Sequence, residues 1–271
     1  MVNSNTVALV TGATSGLGRY LVERLSERGT TVLAHGRDQV RLDELLDSIQ
    51  ASGGTAHGYL ADLSTLDDVR SLAARVAAEH PRLDLLINNA GVGFGQPGGG
   101  RELSTDGHEL RFAVNYLAPY LLTRLLLPVL RATPAAKVVN VGSAGQARLD
   151  LNDPGMEHDY DGIDAYRRSK LALAMFTFDL AAELSGTSIT VNVLHPATFM
   201  DTTMVIESGT RPLSTVEHGG EATMRVATAP EFADTTGQYF DEDRPALAHA
   251  DAYDPALRAR LRELTESLLA R

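Results

Sequence analysis

The feature that most constrains this chain is an alternation of short apolar runs with longer amphipathic ones, opened by a glycine-rich turn. Residues 6–11 form an apolar run ending at Gly12, as expected of a buried parallel strand. Leu17, Leu21 and Leu25 then recur at helical spacing until Gly29 stops them. The same reading gives strands at 30–34, 55–60, 83–88, 137–142 and 188–194, with a short last one at 237–240. A helix capped by Asp38 follows the second strand, with Val40, Leu42, Leu45, Leu46 and Ile49 as its apolar stripe. Further helices are expected at 65–79, 106–130 with a bend near Pro119, 164–184 and 257–269.

Strands separated by helices pair in parallel through right-handed crossovers. The expected fold is therefore α/β: a single-domain, doubly wound Rossmann fold, its mostly parallel seven-stranded sheet covered by helices on both faces. No linker, repeat or low-complexity tract divides residues 1–271. Two irregular stretches are long enough to be functional, an inserted loop around 144–163 and a substrate lid around 197–225. The net charge of −11 is the wrong balance for a nucleic-acid surface, so none is expected as partner. The absence of cysteine excludes disulfides, thiolate zinc sites and a cysteine nucleophile, and fits a reducing compartment. The eight histidines show no metal-ligand spacing, and no metal is expected. The first ten residues lack a basic leader, and 112–130 carries Asn115, Arg124 and two prolines. Neither a signal peptide nor a membrane span is read, and the expected setting is cytoplasmic.

The turn reads Thr11-Gly12-Ala13-Thr14-Ser15-Gly16-Leu17-Gly18. Gly12 allows a tight turn, Gly16 lets backbone approach a pyrophosphate, and Gly18 lets the helix pack on the strand. The helix N-terminus then faces the anion. The spacing differs from G-x-G-x-x-G, and in isolation it fits a plain turn as well as a nucleotide cradle; its place after the first strand favours the cradle. Gly93-Phe94-Gly95-Gln96-Pro97-Gly98 matches G-x-G-x-x-G literally. No helix opens after it and Pro97 sits inside it, so it reads as a flexible loop over the site.

Tyr166 and Lys170 are four apart on a predicted helix and share a face. Ser143 ends the fifth strand, where doubly wound folds place their sites, and Asn115 lies on the preceding helix. Reducing a ketone needs a proton donor beside a hydride donor. An ammonium about 4 Å from the phenol is worth about 4 kcal/mol at an effective dielectric of 20, enough to bring Tyr166 from about 10 to near 7 before desolvation opposes it. Ser143 can stabilise charge developing on the carbonyl oxygen.

Gly12, Gly16, Gly18, Asp62-Leu63, Asn88-Asn89-Ala90-Gly91, Asn115, Ser143 and Tyr166-x-x-x-Lys170, in this order, resemble the short-chain dehydrogenases/reductases over nearly the whole chain. Leu103-Ser104-Thr105-Asp106-Gly107-His108-Glu109-Leu110 with Asn115-Tyr116-Leu117, the long stretch between Ser143 and Tyr166, and Gly237-Gln238-Tyr239-Phe240 are similar to its retinol-dehydrogenase-like branch, whose substrates are often lipophilic. The resemblance implies Tyr166 as general acid/base, Lys170 holding the nicotinamide ribose, Ser143 orienting substrate and Asn115 holding a water in a proton relay. It implies Gly12, Ser15, Gly16, Leu17 and Gly18 around the cofactor phosphates, Asp62 and Leu63 at the adenine, and Asn89, Ala90 and Gly91 along the channel. The family commonly associates into homodimers or homotetramers through the helices placed at 106–130 and 164–184, although monomers occur.

Where the family has Pro-Gly, this chain has His195-Pro196-Ala197-Thr198-Phe199-Met200-Asp201-Thr202. Ala197 cannot adopt positive φ cheaply, so a different lid hinge is expected. Thr198 is taken as the cofactor-binding threonine, with Thr202 as the other register. Phe199, Met200, Met204, Val205 and Ile206 are either an apolar lid or ordinary packing. In Ala34-His35-Gly36-Arg37-Asp38, Arg37 suits a 2′-phosphate and Asp38 suits a helix cap, which favours NADP (NADPH), with NAD the weaker alternative.

The expected activity is NADP-dependent reduction of a lipophilic ketone or aldehyde, a small-molecule substrate, to an alcohol. One alternative is a non-catalytic nucleotide sensor, though such a protein would lose Tyr or Lys. Another is a serine hydrolase at Ser143, but Val141-Gly142-Ser143-Ala144-Gly145 lacks the first glycine of a nucleophile elbow, and His195 is the one candidate base.

Overall fold

The computed structural model describes residues 6–96 and 98–270. Residues 1–5, part of the run read for a leader, Pro97 of the glycine-rich loop, and Arg271 lie outside the described residues. In chain order the first half contains β1 (Val7–Val10), α1 (Gly16–Glu27), β2 (Thr31–Gly36), α2 (Gln39–Ala51), β3 (Ala56–Leu60), α3 (Leu66–Glu79) and β4 (Leu85–Asn88). A helical run follows: α4 (Leu110–Phe112), a π-helical turn (Ala113–Leu117) and α5 (Ala118–Ala132). Then come β5 (Lys137–Val141), α6 (Gly162–Glu183), β6 (Thr190–His195), α7 (Thr203–Glu207), α8 (Val216–Thr228), β7 (Tyr239–Asp241), β8 (Arg244–Ala246) and α9 (Pro255–Leu269).

The strands form one sheet in the order β3-β2-β1-β4-β5-β6-β7-β8. All neighbouring pairs from β3 to β7 are parallel, and β8 is antiparallel to β7. The sheet thus has eight strands rather than the expected seven. β8 escapes a periodicity reading because it is a three-residue edge strand containing Pro245. Alternate strand residues feed two cores. Leu9, Leu86, Val138 and Val191 face α3, α5 and α6; Ala8, Val10, Ile87 and Val139 face α1, α2 and α8.

Three further departures have local causes. Val40 is exposed, because it falls outside the stripe of Leu42, Leu45 and Ile49 that α2 buries. The run expected from 106 begins at Leu110, where the Glu109 carboxylate caps the Phe112 amide, while Asp106 accepts from the Leu66 amide. Its bend is the π turn. Pro119 has no N–H to return to the Asn115 carbonyl, and the wider turn precedes it. Finally, much of the stretch expected as a lid at 197–225 is structured. From Val216 it is α8, packed against α1. Gly219 and Gly220 mask this helix in the sequence, and packing requires them: a Cβ at Gly219 would overlap the Met200 sulfur, and one at Gly220 the Tyr20 ring.

The 23-residue run Leu110–Ala132 is long and apolar enough to cross a membrane, but 83% of its apolar window is buried inside the protein. α9 lies against α6, and its Thr265 hydroxyl is 2.6 Å from the Tyr116 hydroxyl. It therefore covers part of the helical surface expected to serve association.

Candidate active site

The site forms at the carboxyl ends of the central strands. Thr11 stitches the first turn to the end of β4: its hydroxyl oxygen accepts from the Asn89 and Ala90 amides, each at 3.0 Å. The Asn89 side-chain amide donates to the Thr11 carbonyl at 2.8 Å and the Gly12 carbonyl at 3.2 Å. Gly12 has φ +64°, and a Cβ there would lie 2.9 Å from the Ala90 Cα. A Cβ at Gly18 would overlap the Gly12 carbonyl. Ser15 caps α1 without using its hydroxyl, and the first turn of α1 holds no acid. The positive end of α1 is thus free of a competing carboxylate, beside a turn that only glycine can line. This cradle fits a pyrophosphate.

A residue the sequence reading passed over ties the cradle together. His35 is buried; its Nδ1 accepts from the Gly12 amide at 3.2 Å, and its Nε2 lies 3.1 Å from the Ala61 carbonyl. Burial lowers its pKa to about 4, so the ring is neutral, with Nε2 carrying the proton. Arg37, two residues on and just past the end of β2, is exposed and makes no hydrogen bond or ion pair among the described residues. Asp38 accepts from the Arg41 amide at 3.1 Å, the helix-cap role.

At the other end of the site, Asn115 holds the loop after β4. Its Oδ1 accepts from the Val92 amide at 2.7 Å, and its Nδ2 donates to the Val92 carbonyl and to the Ser169 hydroxyl, both at 3.0 Å. Lys170 is buried and donates to the Val141 carbonyl at 2.8 Å. A Cβ at Gly91 would meet the Asn115 Oδ1 at 3.2 Å and the Lys170 Nζ at 3.7 Å, so the glycine marks where the two converge. Ser143 is buried, and its hydroxyl accepts from the Gly145 amide at 3.0 Å. Tyr166 is half-buried. Burial pushes its phenol up, and only the neighbouring Ser143 hydroxyl opposes this. Burial alone brings Lys170 down to about 8. The expected ammonium-driven fall of Tyr166 toward 7 does not occur. Lys170 Nζ lies 5.7 Å from the phenol ring centroid and is engaged by a carbonyl, so burial, opposed by the Ser143 hydroxyl, sets the direction for Tyr166.

The sequence profile of the short chain dehydrogenases matches residues 6–212. This chain belongs to the short-chain dehydrogenase/reductase family. It is accordingly a nicotinamide-dependent oxidoreductase of CH–OH and C=O groups. The chain is 34% identical to retinol dehydrogenase 14 of Mus musculus, over 99% of this chain and 87% of that protein. It is 37% identical to the polyprenol dehydrogenase of Mus musculus, over 94% and 81%. Among solved structures, an uncharacterised protein from Mycobacterium paratuberculosis superposes with a TM-score of 0.80 at 26% identity, covering 98% of this chain and 93% of that one. The Pseudomonas aeruginosa RhlG/NADP active-site complex superposes with a TM-score of 0.69 at 29% identity, covering 87% and 93%.

In this dehydrogenase/reductase the segment after β6 lies over the cradle. Thr198 is exposed, its hydroxyl 3.1 Å from His195 Nε2. Thr202 is the threonine beside the glycine turn; its Cγ2 would be 3.1 Å from a Cβ on Gly16. The Met204 side chain borders Gly91 and Gly93. Positive φ falls at Phe199 (+44°), not at Ala197. Asp62 accepts from the Ser64 amide in a tight turn, and Leu63 beside it is buried. His195 and Ser143 are committed to Thr198 and Gly145, so the Ser–His contact of a hydrolase is absent among the described residues. Ser169, which links Asn115 to the Tyr166 carbonyl, gave no sequence signal because one serine inside a helix is unremarked.

Proposed function

We propose that this dehydrogenase/reductase uses NADPH to reduce a lipophilic ketone or aldehyde to an alcohol, with Tyr166 as general acid. The observation that carries this reading is the gathering of Ser143, Tyr166 and Lys170 beside a cradle suited to a dinucleotide. Gly12, Ser15, Gly16, Leu17 and Gly18 would hold the pyrophosphate, Asp62 and Leu63 the adenine, and Asn89, Ala90 and Gly91 the channel wall. Thr202 takes the role first given to Thr198. Arg37 would pair with the 2′-phosphate, and its lack of another partner among the described residues supports this. A bound reduced nicotinamide supplies the hydride that the carbonyl carbon receives. Tyr166 donates its phenolic proton to the carbonyl oxygen, and its raised pKa keeps that proton in place near neutrality. Ser143 donates a hydrogen bond to the same oxygen as its negative charge grows. Lys170 would hold the nicotinamide ribose, and Asn115 a water in the proton relay.

A lipophilic substrate is supported by the aromatic edge beside the phenol. The Phe94 ring meets Tyr166 edge-on at 4.9 Å, and Phe199 meets Phe94 at 6.5 Å. The retinol and polyprenol dehydrogenases act, by their names, on lipophilic alcohols. The test is the loss of reduced-nicotinamide absorbance with NADPH and NADH against a panel of ketones, aldehydes and quinones. Turnover with NADPH that Tyr166→Phe lowers by about 10²-fold or more is expected. Unchanged turnover in Tyr166→Phe removes the proton-donor role.

A further inference from the structure

Beside the site lies a buried charge cluster that the reaction itself does not use. Arg111 and Glu109 are each 2% exposed and pair at 3.3 Å. Arg111 Nε donates to the Gly93 carbonyl at 3.0 Å, and its Nη2 to the Glu102 carboxylate at 3.0 Å. Glu109 also accepts from the Tyr160 hydroxyl at 3.1 Å. One ion pair thus joins the loop after β4 to the loop before α6, the two segments flanking the Tyr166 mouth. A buried ion pair is a weak source of stability compared with apolar packing, which directs attention to the geometry it fixes. Space around it is tight. A Cβ at Gly95 would lie 2.5 Å from Arg111 Nη2, and one at Gly162 would overlap the Phe94 carbonyl. Between Gly93 and Gly95 sits Phe94, the ring that meets Tyr166 edge-on.

We propose that Arg111 is a positioning residue: by holding the Gly93 carbonyl it sets Phe94 against Tyr166 and so shapes the wall that receives the apolar part of the substrate. The inference rests on the carbonyl-reduction reading for its substrate side and on the loop geometry for its mechanical side. It assigns specificity for bulky apolar carbonyls to a residue that touches neither substrate nor cofactor.

The experiment compares Arg111→Met, Phe94→Ala and the double variant, with decanal and propanal as substrates. Each single variant is expected to raise KM for decanal about ten-fold, and in Arg111→Met KM for NADPH and kcat for propanal stay within about two-fold of the parent. If Arg111 acts through Phe94, the double variant is no worse than Phe94→Ala alone. Multiplying effects, or equal losses on both aldehydes, overturn the proposal. Arg111→Met strands the Glu109 carboxylate, so Glu109→Gln/Arg111→Met is carried beside it, and Arg111→Lys is expected to restore part of the decanal KM. Hydrogen exchange decides the mechanical side without any activity. Faster exchange at Val92, whose amide donates to Asn115 in the same loop, in Glu109→Gln/Arg111→Met, with the β-sheet unchanged, supports the clamp; unchanged exchange there ends it. A parent protein that reduces no carbonyl refutes the proposed function instead, and the exchange result still judges the clamp.

Discussion

The Lys170 ammonium lies 5.7 Å from the centroid of the Tyr166 ring and is held there by the Val141 carbonyl at 2.8 Å. At that separation burial governs both groups, the phenol moving up and the ammonium down to about 8. Reduction should therefore hold steady through neutral pH, where Tyr166 is protonated and Lys170 charged. It should decline as pH rises through about 8, where Lys170 discharges. In Lys170→Met kcat is expected to be lower by about 10²-fold and to lack that alkaline limb. A limb that persists in this variant would assign it to another group.

The same residue carries a stability consequence. Its folded pKa of about 8 lies below the ordinary lysine value of 10.5. The unfolded chain then binds the proton more tightly, so the penalty is complete below pH 8 and is relieved as pH rises from 8 to 10.5. Two and a half pKa units correspond to about 3 kcal/mol, less about 1 kcal/mol for the hydrogen bond to Val141. Lys170→Met is expected to be more stable at pH 7 by about 2 kcal/mol while losing activity, a difference readable in urea denaturation. Equal stability at pH 7 and a flat pH dependence in the parent would contradict this.

The strand–helix alternation was legible because buried parallel strands and amphipathic helices write different periods. Leu9 and Val10 alternate between two cores, as a doubly covered sheet requires. Ser143, Tyr166 and Lys170 stood out by residue type and spacing. What stayed hidden depends on long-range contact. His35 reaches Gly12 across the strand pair, Arg111 reaches Gly93 across a loop, and Ser169 reaches Asn115 between helices. None of these pairs has a fixed sequence spacing that a single chain can reveal. The charge effect on Tyr166 was misjudged because burial, the larger influence, is a property of the fold and not of the Tyr-x-x-x-Lys spacing.

His35 predicts an acid limit. Its folded pKa of about 4 lies below the ordinary 6.5, so the unfolded chain gains a proton first on acidification. Stability should rise with pH between 4 and 6.5 and is lost as pH falls through that window. The full difference is about 3 kcal/mol. His35→Gln, which keeps a hydrogen-bonding side chain but does not titrate, should flatten this part of the pH–stability curve. A curve identical to the parent's would place the acid sensitivity elsewhere.

Arg37 is expected to decide between dinucleotides. Because it has no partner among the described residues, Arg37→Ala should leave stability within about 0.5 kcal/mol of the parent. Loss of its contact with a 2′-phosphate should weaken NADPH binding about ten-fold or more and spare NADH. Fluorescence titration of both dinucleotides reads this directly. Equal weakening of the two would remove the phosphate role.

Met204 lies against the loop after β4, with its Cε 3.8 Å and its Cγ 2.5 Å from where Cβ atoms on Gly91 and Gly93 would lie. Thr202 closes on Gly16 from the same segment. A dinucleotide bound along Asn89, Ala90 and Gly91 as proposed would meet Met204 there, and its apparent affinity would be reduced by the fraction of molecules in which α7 lies in this position. Met204→Ala removes apolar contacts from the closed arrangement without touching the glycine turn. The apparent Kd for NADPH should therefore fall about three-fold or more, with faster association in stopped-flow fluorescence. A weaker Kd in this variant would mean that Met204 packs on the bound nicotinamide rather than competing with it.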